Sequence, residues 1–320
     1  MDKMEDSGSF DRSSILLGGT KKMKSELKQT ALILAILCVA IWGETFVSSK
    51  VVLDHGIRPA DLFAFRFLLA AIGMWFISHK RLFCNSWKDE VLMAMLGICG
   101  GSLYFVAENM ALTYSTASNV AIILSCTPLV TAFIMAIFYK EERMNSIQLA
   151  GSAVAIVGLS MIIFNGEVIL KLNPLGDLLA MVGMFCWGFY SLIMKIVSPR
   201  YDAAFITRKV FGYGVISIIP YFLVFGWPQL DAGLISMPVI WVNVLYLGIV
   251  ASLGCFLAWN WALTKLGTVQ TTNMIYLQPF FTMIIGYVVL GERITWMAVT
   301  GAIILIAGMY LAGKSKSSKI

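Results

Sequence analysis

Apolar runs of about twenty residues recur along this chain, parted by short joints of polar, Gly or Pro residues. A helix needs about 20 mostly apolar residues to cross the hydrocarbon of a bilayer. The runs predict spanning helices over 29–52, 60–79, 91–113, 118–139, 146–165, 175–197, 205–226, 239–263, 269–290 and 294–312. The joints are short: Tyr114-Ser-Thr-Ala, Lys140-Glu-Glu-Arg-Met-Asn, Asn173-Pro-Leu-Gly and Trp227-Pro. None leaves room for a separate extramembrane domain. The expected class is an all-α integral membrane protein of ten spans, preceded by a cytoplasmic, disordered tail over 1–28 and followed by a basic cytoplasmic tail over 313–320.

Composition sharpens this. Hydrophobic residues make up 59% of the 320 residues and charged ones 13%, against about 45–50% and about 25% in soluble domains. Mean hydropathy is +0.82. A water-soluble globule must keep much of its chain at its surface, so lipid is the expected solvent. The stretch before the first run is polar and the run itself is of spanning length, unlike a cleavable signal.

The net charge of +6 matters through its location. Lys21, Lys22, Lys24 and Lys28 precede the first run, and Lys314, Lys316 and Lys319 follow the last. Even-numbered crossings put both ends on one side. With that side cytoplasmic, it also gathers Lys80, Arg81, Lys88, Lys140, Arg143, Arg200 and Lys265, leaving Arg58, Lys171 and Arg293 outside. The bias is roughly five to one in the sense of the positive-inside rule. Both termini are therefore expected in the cytoplasm of a cell-membrane protein, and no nucleic-acid partner is implied.

The chain also repeats itself. Glu108-Asn-Met-Ala-Leu-Thr113 aligns with Trp259-Asn-Trp-Ala-Leu-Thr264 at an offset of 151 (259 − 108), which also pairs Leu96-Gly-Ile98 with Leu247-Gly-Ile249 and Pro128 with Pro279. One residue on, Glu142-Arg143, Gly151 and Gly158 meet Glu292-Arg293, Gly301 and Gly308. Earlier, Trp42-Gly43 with Lys50 answers Trp187-Gly188 with Lys195, and Phe63 and Arg66 answer Phe205 and Arg208. Two repeats, 29–165 and 174–312, each hold five predicted helices. An odd number threads the second copy in the opposite sense, an inverted repeat of the kind on which secondary transporters are built. Duplication kept for packing alone is the plainer alternative.

Trp42-Gly-x-x-Phe46, Arg66 early in the second helix, Ala-Leu-x-Tyr/Lys after the third, a mid-helix proline in the fourth and Glu-Arg with spaced glycines around the fifth form an ordered, duplicated set. In this the chain resembles the EamA-type permeases of the drug/metabolite transporter superfamily, from about residue 30 to 312. The resemblance implies ten helices, a central cavity lined mainly by helices 1, 3, 4, 6, 8 and 9, alternating access, and export of metabolites such as amino acids.

Ionisable groups in hydrocarbon are costly and need a partner or a wet cavity. Glu44 and Glu108 are the leading candidates for substrate binding or proton coupling; pairing to Arg66 for helix docking is the structural alternative. Their repeat equivalents are Phe189 and Trp259, so the carboxylates lie in one half only. Asn109 and Asn260 are equivalent and read as interhelical glue. Pro128 and Pro279 remove backbone donors and predict kinks beside the cavity, freeing the Leu124 and Ile275 carbonyls. Trp42, Trp187, Tyr190, Asn273, Tyr276 and Gln278 are candidate lining residues, with Phe280 sharing a face with Asn273 and Tyr276; the same aromatics could equally be core. Arg66 and Arg208 are the residues to clamp an anion, against a reading in which they, with Lys209, Lys50 and Lys195, snorkel to headgroups. Gly97 and Gly101, like the glycine pairs 151/158 and 301/308, predict close helix packing.

The six cysteines form no CxxC pair and the two histidines, His55 and His79, lie at span ends, so no metal site, disulfide framework or cofactor is expected. No GxxxxGK[ST], HExxH or G-x-S-x-G occurs. Neither ATP-driven transport nor enzyme chemistry is implied. The expectation is a secondary transporter exporting a small amino-acid-like amine or zwitterion, with proton coupling open; a passive facilitator or channel and a non-transporting scaffold are the alternatives. A monomer suffices to enclose the cavity, and a dimer is equally compatible.

Overall fold

The computed structural model describes residues 7–79, 81–115, 120, 123–139, 145–164, 173–228, 233, 236–281, 284 and 295–312, and these contain helices and no strand. In chain order they are α1 (Ser7–Asp54), α2 (Pro59–Ile77), α3 (Trp87–Tyr114), α4 (Thr127–Phe138) and α5 (Ser146–Phe164). There follow α6 (Pro174–Val197), α7 (Ala203–Phe225), α8 (Pro238–Leu266), α9 (Thr268–Thr272) and α10 (Trp296–Ala312). Among the described residues, six segments, in α1–α3 and α6–α8, are long and apolar enough to cross a membrane; Thr127–Phe138, Ser146–Ile162 and Val299–Ala312 are shorter apolar helices. The Glu142-Arg143 and Glu292-Arg293 pairs, Lys80, Lys140 and the basic tail lie outside the described residues.

Local chemistry explains where the helices begin. Pro stands in the first turn of α2, α4, α6 and α8, where a missing N–H costs nothing. Ser86, Asn173 and Asp202 cap α3, α6 and α7, accepting hydrogen bonds from Asp89 N (3.2 Å), Gly176 N (3.2 Å) and Phe205 N (2.9 Å). Residues 7–28 are helical and continuous with the rest of α1. Lys, Met, Leu and Glu between 21 and 28 are good helix formers, and extending an existing helix costs far less than nucleating one.

Large apolar side chains face outward: Phe76 is 76% exposed, Leu223 70% and Tyr310 67%. Such surfaces belong in hydrocarbon. Inside, Phe63, Phe67, Phe105, Trp187, Phe211, Phe256 and Trp259 form an aromatic core between α2, α3, α6, α7 and α8.

Helices α3 and α8 each carry a π-helical stretch, Ile98–Ser102 and Tyr246–Gly254. Adding 151 to the first gives 249–253, inside the second, so both bulges fall at equivalent places in the duplicated sequence. Helix α5 packs on α10 through Gly151 against Gly308 and Gly158 against Gly301, where any Cβ would overlap the facing backbone. The contact pairs run in opposite order along the two helices, so α5 and α10 are antiparallel.

Polar links gather at the two ends of the bundle. At one, Asp89 pairs with Arg200 and Glu90 with Lys209, joining α3 to the α6–α7 turn and to α7. At the other, Arg58 bonds Asp61 (2.8 Å) and the Phe225, Gly226 and Trp227 carbonyls.

Candidate functional site

A cavity of about 40 Å³ lies within the bundle, lined by Trp42, Thr45, Arg66, Tyr104, Glu108, Trp187 and Gln278 with apolar neighbours from α1, α3, α8, the residues before α4 and the stretch after α9. That is room for a few waters at most. Arg66 and Glu108 are both buried, 1% and 3% exposed, and interact electrostatically across this space. Neither has an ion pair within 4.0 Å among the described residues.

The surroundings hold Arg66 in place. Its Nε donates to Ser252 Oγ in the α8 π stretch at 3.0 Å, and its guanidinium carbon sits 4.2 Å from the Phe105 ring centroid. Nη1 is buried without an acceptor among the described residues, and so is Trp187 Nε1 on the same cavity. An unsatisfied buried donor costs about 1–3 kcal/mol. Two of them beside a buried carboxylate form a place where a charged ligand gains hydrogen bonds that the empty protein lacks.

The aromatic wall is continuous. Trp42 meets Trp187 at 5.5 Å and Trp259 at 4.9 Å between ring centroids, and Tyr104 meets Trp187 at 5.3 Å. Trp42 Nε1 donates to Ala251 O at 3.0 Å, and Gln278 Nε2 to Trp42 O at 3.1 Å. These bonds tie α1 to the π stretch of α8 and to the chain after α9.

Both proline sites adjoin the cavity. A turn at Cys126 interrupts the helical chain before Pro128, and Thr127 Oγ1 donates to the freed Leu124 carbonyl at 2.5 Å. Before Pro279 the chain tightens to a 3₁₀ helix over Asn273–Leu277, and Gln278 N bonds the Ile275 carbonyl. Leu124, Thr127, Ile275 and Gln278 all line the cavity. Each freed carbonyl thus finds a substitute donor.

Other candidates fall elsewhere. Glu44 is half-buried, accepts from Ser48 Oγ at 3.0 Å and interacts with Tyr246 rather than lining the cavity. Tyr190 hydrogen bonds Asn260 Oδ1 (2.5 Å), whose amide donates to Thr207 Oγ1 (2.9 Å); Asn109 donates to Pro59 O (3.1 Å). Asn273 donates to Ala312 O (3.3 Å) and Tyr276 packs in the apolar contact with α5 and α10. Arg208 donates to the Ser78 and Arg81 carbonyls after α2, Lys50 to Asp54 and Leu112 O, and Lys195 lies 4.2 Å from the Tyr139 ring centroid. Residues missed from the sequence include Tyr104, Phe105, Thr127, Ser252 and Phe256. Tyr104 could have been found, because it stands four residues before Glu108 on one helical face; nothing in the sequence marks Ser252 as the partner of an arginine 186 residues away.

A helical chain with lipid-facing flanks and a buried charged cavity is a polytopic membrane protein built around an internal site. The EamA-like transporter family matches it over residues 29–164 and again over 174–313. The chain belongs to this family, and it is a membrane transporter rather than an enzyme. An uncharacterized transporter of Archaeoglobus fulgidus is 29% identical, covering 88% of this chain and 96% of that protein. A probable terminal-alkyne amino-acid exporter of Streptantibioticus cattleyicolor is 26% identical (87% and 92% covered), and a probable amino-acid metabolite efflux pump of Escherichia coli 24% (87% and 93%). A crystal structure shares the fold with a TM-score of 0.68 at 17% identity, over 90% of this chain and 96% of that one.

Proposed function

We propose that this protein exports a small zwitterion of the amino-acid class across the cytoplasmic membrane by alternating access. The observation that carries the reading is the buried Arg66–Glu108 couple facing one cavity, with Arg66 Nη1 and Trp187 Nε1 lacking acceptors among the described residues. A substrate carboxylate takes these donors and its ammonium takes Glu108, so each charge meets its opposite out of water. The aromatic wall accepts the apolar remainder. Relatives described as amino-acid exporters and efflux pumps support both the substrate class and the direction.

The architecture that goes with this is two inverted five-helix repeats, 29–165 and 174–312, with both termini cytoplasmic. The two family matches, the equivalent π stretches and the antiparallel α5–α10 glycine contact support it. The contracted cavity supports a carrier that must open to one side at a time rather than a standing pore. Protons are the coupling ion, carried by Glu108 or, next to Tyr246, by Glu44.

Reconstituted protein should show saturable counterflow of a radiolabelled amino acid when a panel is screened. Glu108→Gln should abolish it, and Arg66→Lys should raise KM because the planar fork is lost. Counterflow of amines but never of zwitterions would assign Arg66 to structure and overturn the substrate class. Flux insensitive to a pH gradient in wild type would remove the coupling.

A further inference from the structure

A second cavity, of about 310 Å³, lies between α2 and α7, walled by Ala71, Trp75, Leu82, Phe83, Gly212 and Ile216, with Arg208, Lys209 and Tyr213 also on its lining. It is separate from the Arg66–Glu108 site and opens sideways: Phe83 is 72% exposed and Ile216 57%. Its charged members, Arg208 and Lys209, lie in the second turn of α7, which begins at Ala203, near where α2 ends at Ile77. From Arg208 to Ile216 the wall descends eight residues along α7, about 12 Å at 1.5 Å per residue. The groove is thus charged at the end of the bundle and apolar going inward.

The charges at that end do not balance. Arg81, Lys88, Arg200, Arg208 and Lys209 are there against Asp89, Glu90 and Asp202. Glu90 takes Lys209 and Asp89 takes Arg200. Arg208 spends its hydrogen bonds on the neutral Ser78 and Arg81 carbonyls, and Arg81 bonds Asn85 and the Phe83 carbonyl. An excess of positive charge therefore stands over an apolar slot that faces lipid.

We propose that this groove holds an anionic glycerophospholipid, its phosphate against Arg208 and Arg81 and one acyl chain along Trp75, Phe83 and Ile216. The occupant is argued from charge complementarity and from the sideways opening: a free anion has no use for an apolar slot, and a neutral lipid has no use for the cations. Basic pockets between spans bind anionic headgroups on these grounds.

Gly212 offers a clean test, because a Cβ there would meet nothing within 4 Å among the described residues. Gly212→Leu should fill the slot without disturbing a charge. Full-length protein is purified in mild detergent, stripped of lipid, and its thermal stability followed on adding micelles with phosphatidylglycerol, phosphatidylcholine or inorganic phosphate; native mass spectrometry counts retained lipid. Wild type should be stabilised by phosphatidylglycerol above phosphatidylcholine and should retain it, with no response to phosphate. In Gly212→Leu that difference and the retained lipid should be lost while the lipid-free melting temperature holds. Arg208→Lys, which keeps a charge but not the two carbonyl bonds, should weaken the preference. Equal stabilisation by both lipids, an equal response to inorganic phosphate, or an undiminished preference in Gly212→Leu would each overturn the proposal.

Discussion

Arg66 and Glu108 are buried around one cavity and sense each other's charge without an ion pair within 4.0 Å among the described residues. Removing one of two interacting buried charges leaves the other less compensated. Glu108→Gln and Arg66→Gln should therefore each lower stability, while the double variant recovers part of the loss. A coupling energy of about 0.5–3 kcal/mol in a thermal double-mutant cycle is expected for interacting neighbours; strict additivity would mean that the two do not sense each other. Ser252→Ala is milder. It removes the Nε acceptor at 3.0 Å, so transport should fall mainly through KM with expression unchanged. Outside the spans, burial first and the hydrogen bond with Glu90 second push the Cys84 thiol from 9.0 up to about 11. Maleimide labelling at Cys84, with the other cysteines replaced, should keep accelerating well past pH 9; a plateau near pH 9 would refute that environment.

Among the elements, α5 and α10 hold together by backbone proximity. Neither is longer than 19 residues, and their contact depends on four glycines facing backbone. In lipid no hydrophobic force drives such helices together, so close packing must do it. Gly158→Leu should cost at least ~1–3 kcal/mol by overpacking, read as a fall in melting temperature, whereas Gly212→Leu should be nearly neutral. The breaks in regular α winding before Pro128 and Pro279 have a division of labour visible only in part from sequence. Proline dictated that the Leu124 and Ile275 carbonyls lose their usual donors. That Thr127 replaces one and a 3₁₀ turn the other depends on which side chain and which winding the neighbours allow.

At the scale of the whole molecule, the proposed architecture of two five-helix halves requires the chain ends to share a face. Single cysteines placed near residues 10 and 316 in a cysteine-free background should both react with an impermeant maleimide only after inside-out vesicles are prepared. Opposite accessibility would remove the ten-crossing, inverted architecture. Run length and the scarcity of charge determined, without any coordinates, that this chain is helical and lives in lipid. Both signals are local sums, and each residue carries its share of transfer free energy wherever it packs. Duplicated residues in order likewise identified the family. Only the tertiary structure decided that Glu108 rather than Glu44 faces the cavity, that Tyr276 and Asn273 face α5 and α10, and that Arg66 leans on Ser252. Those outcomes depend on how helices are rotated about their own axes, and that rotation is settled by side-chain contacts between segments far apart in the chain.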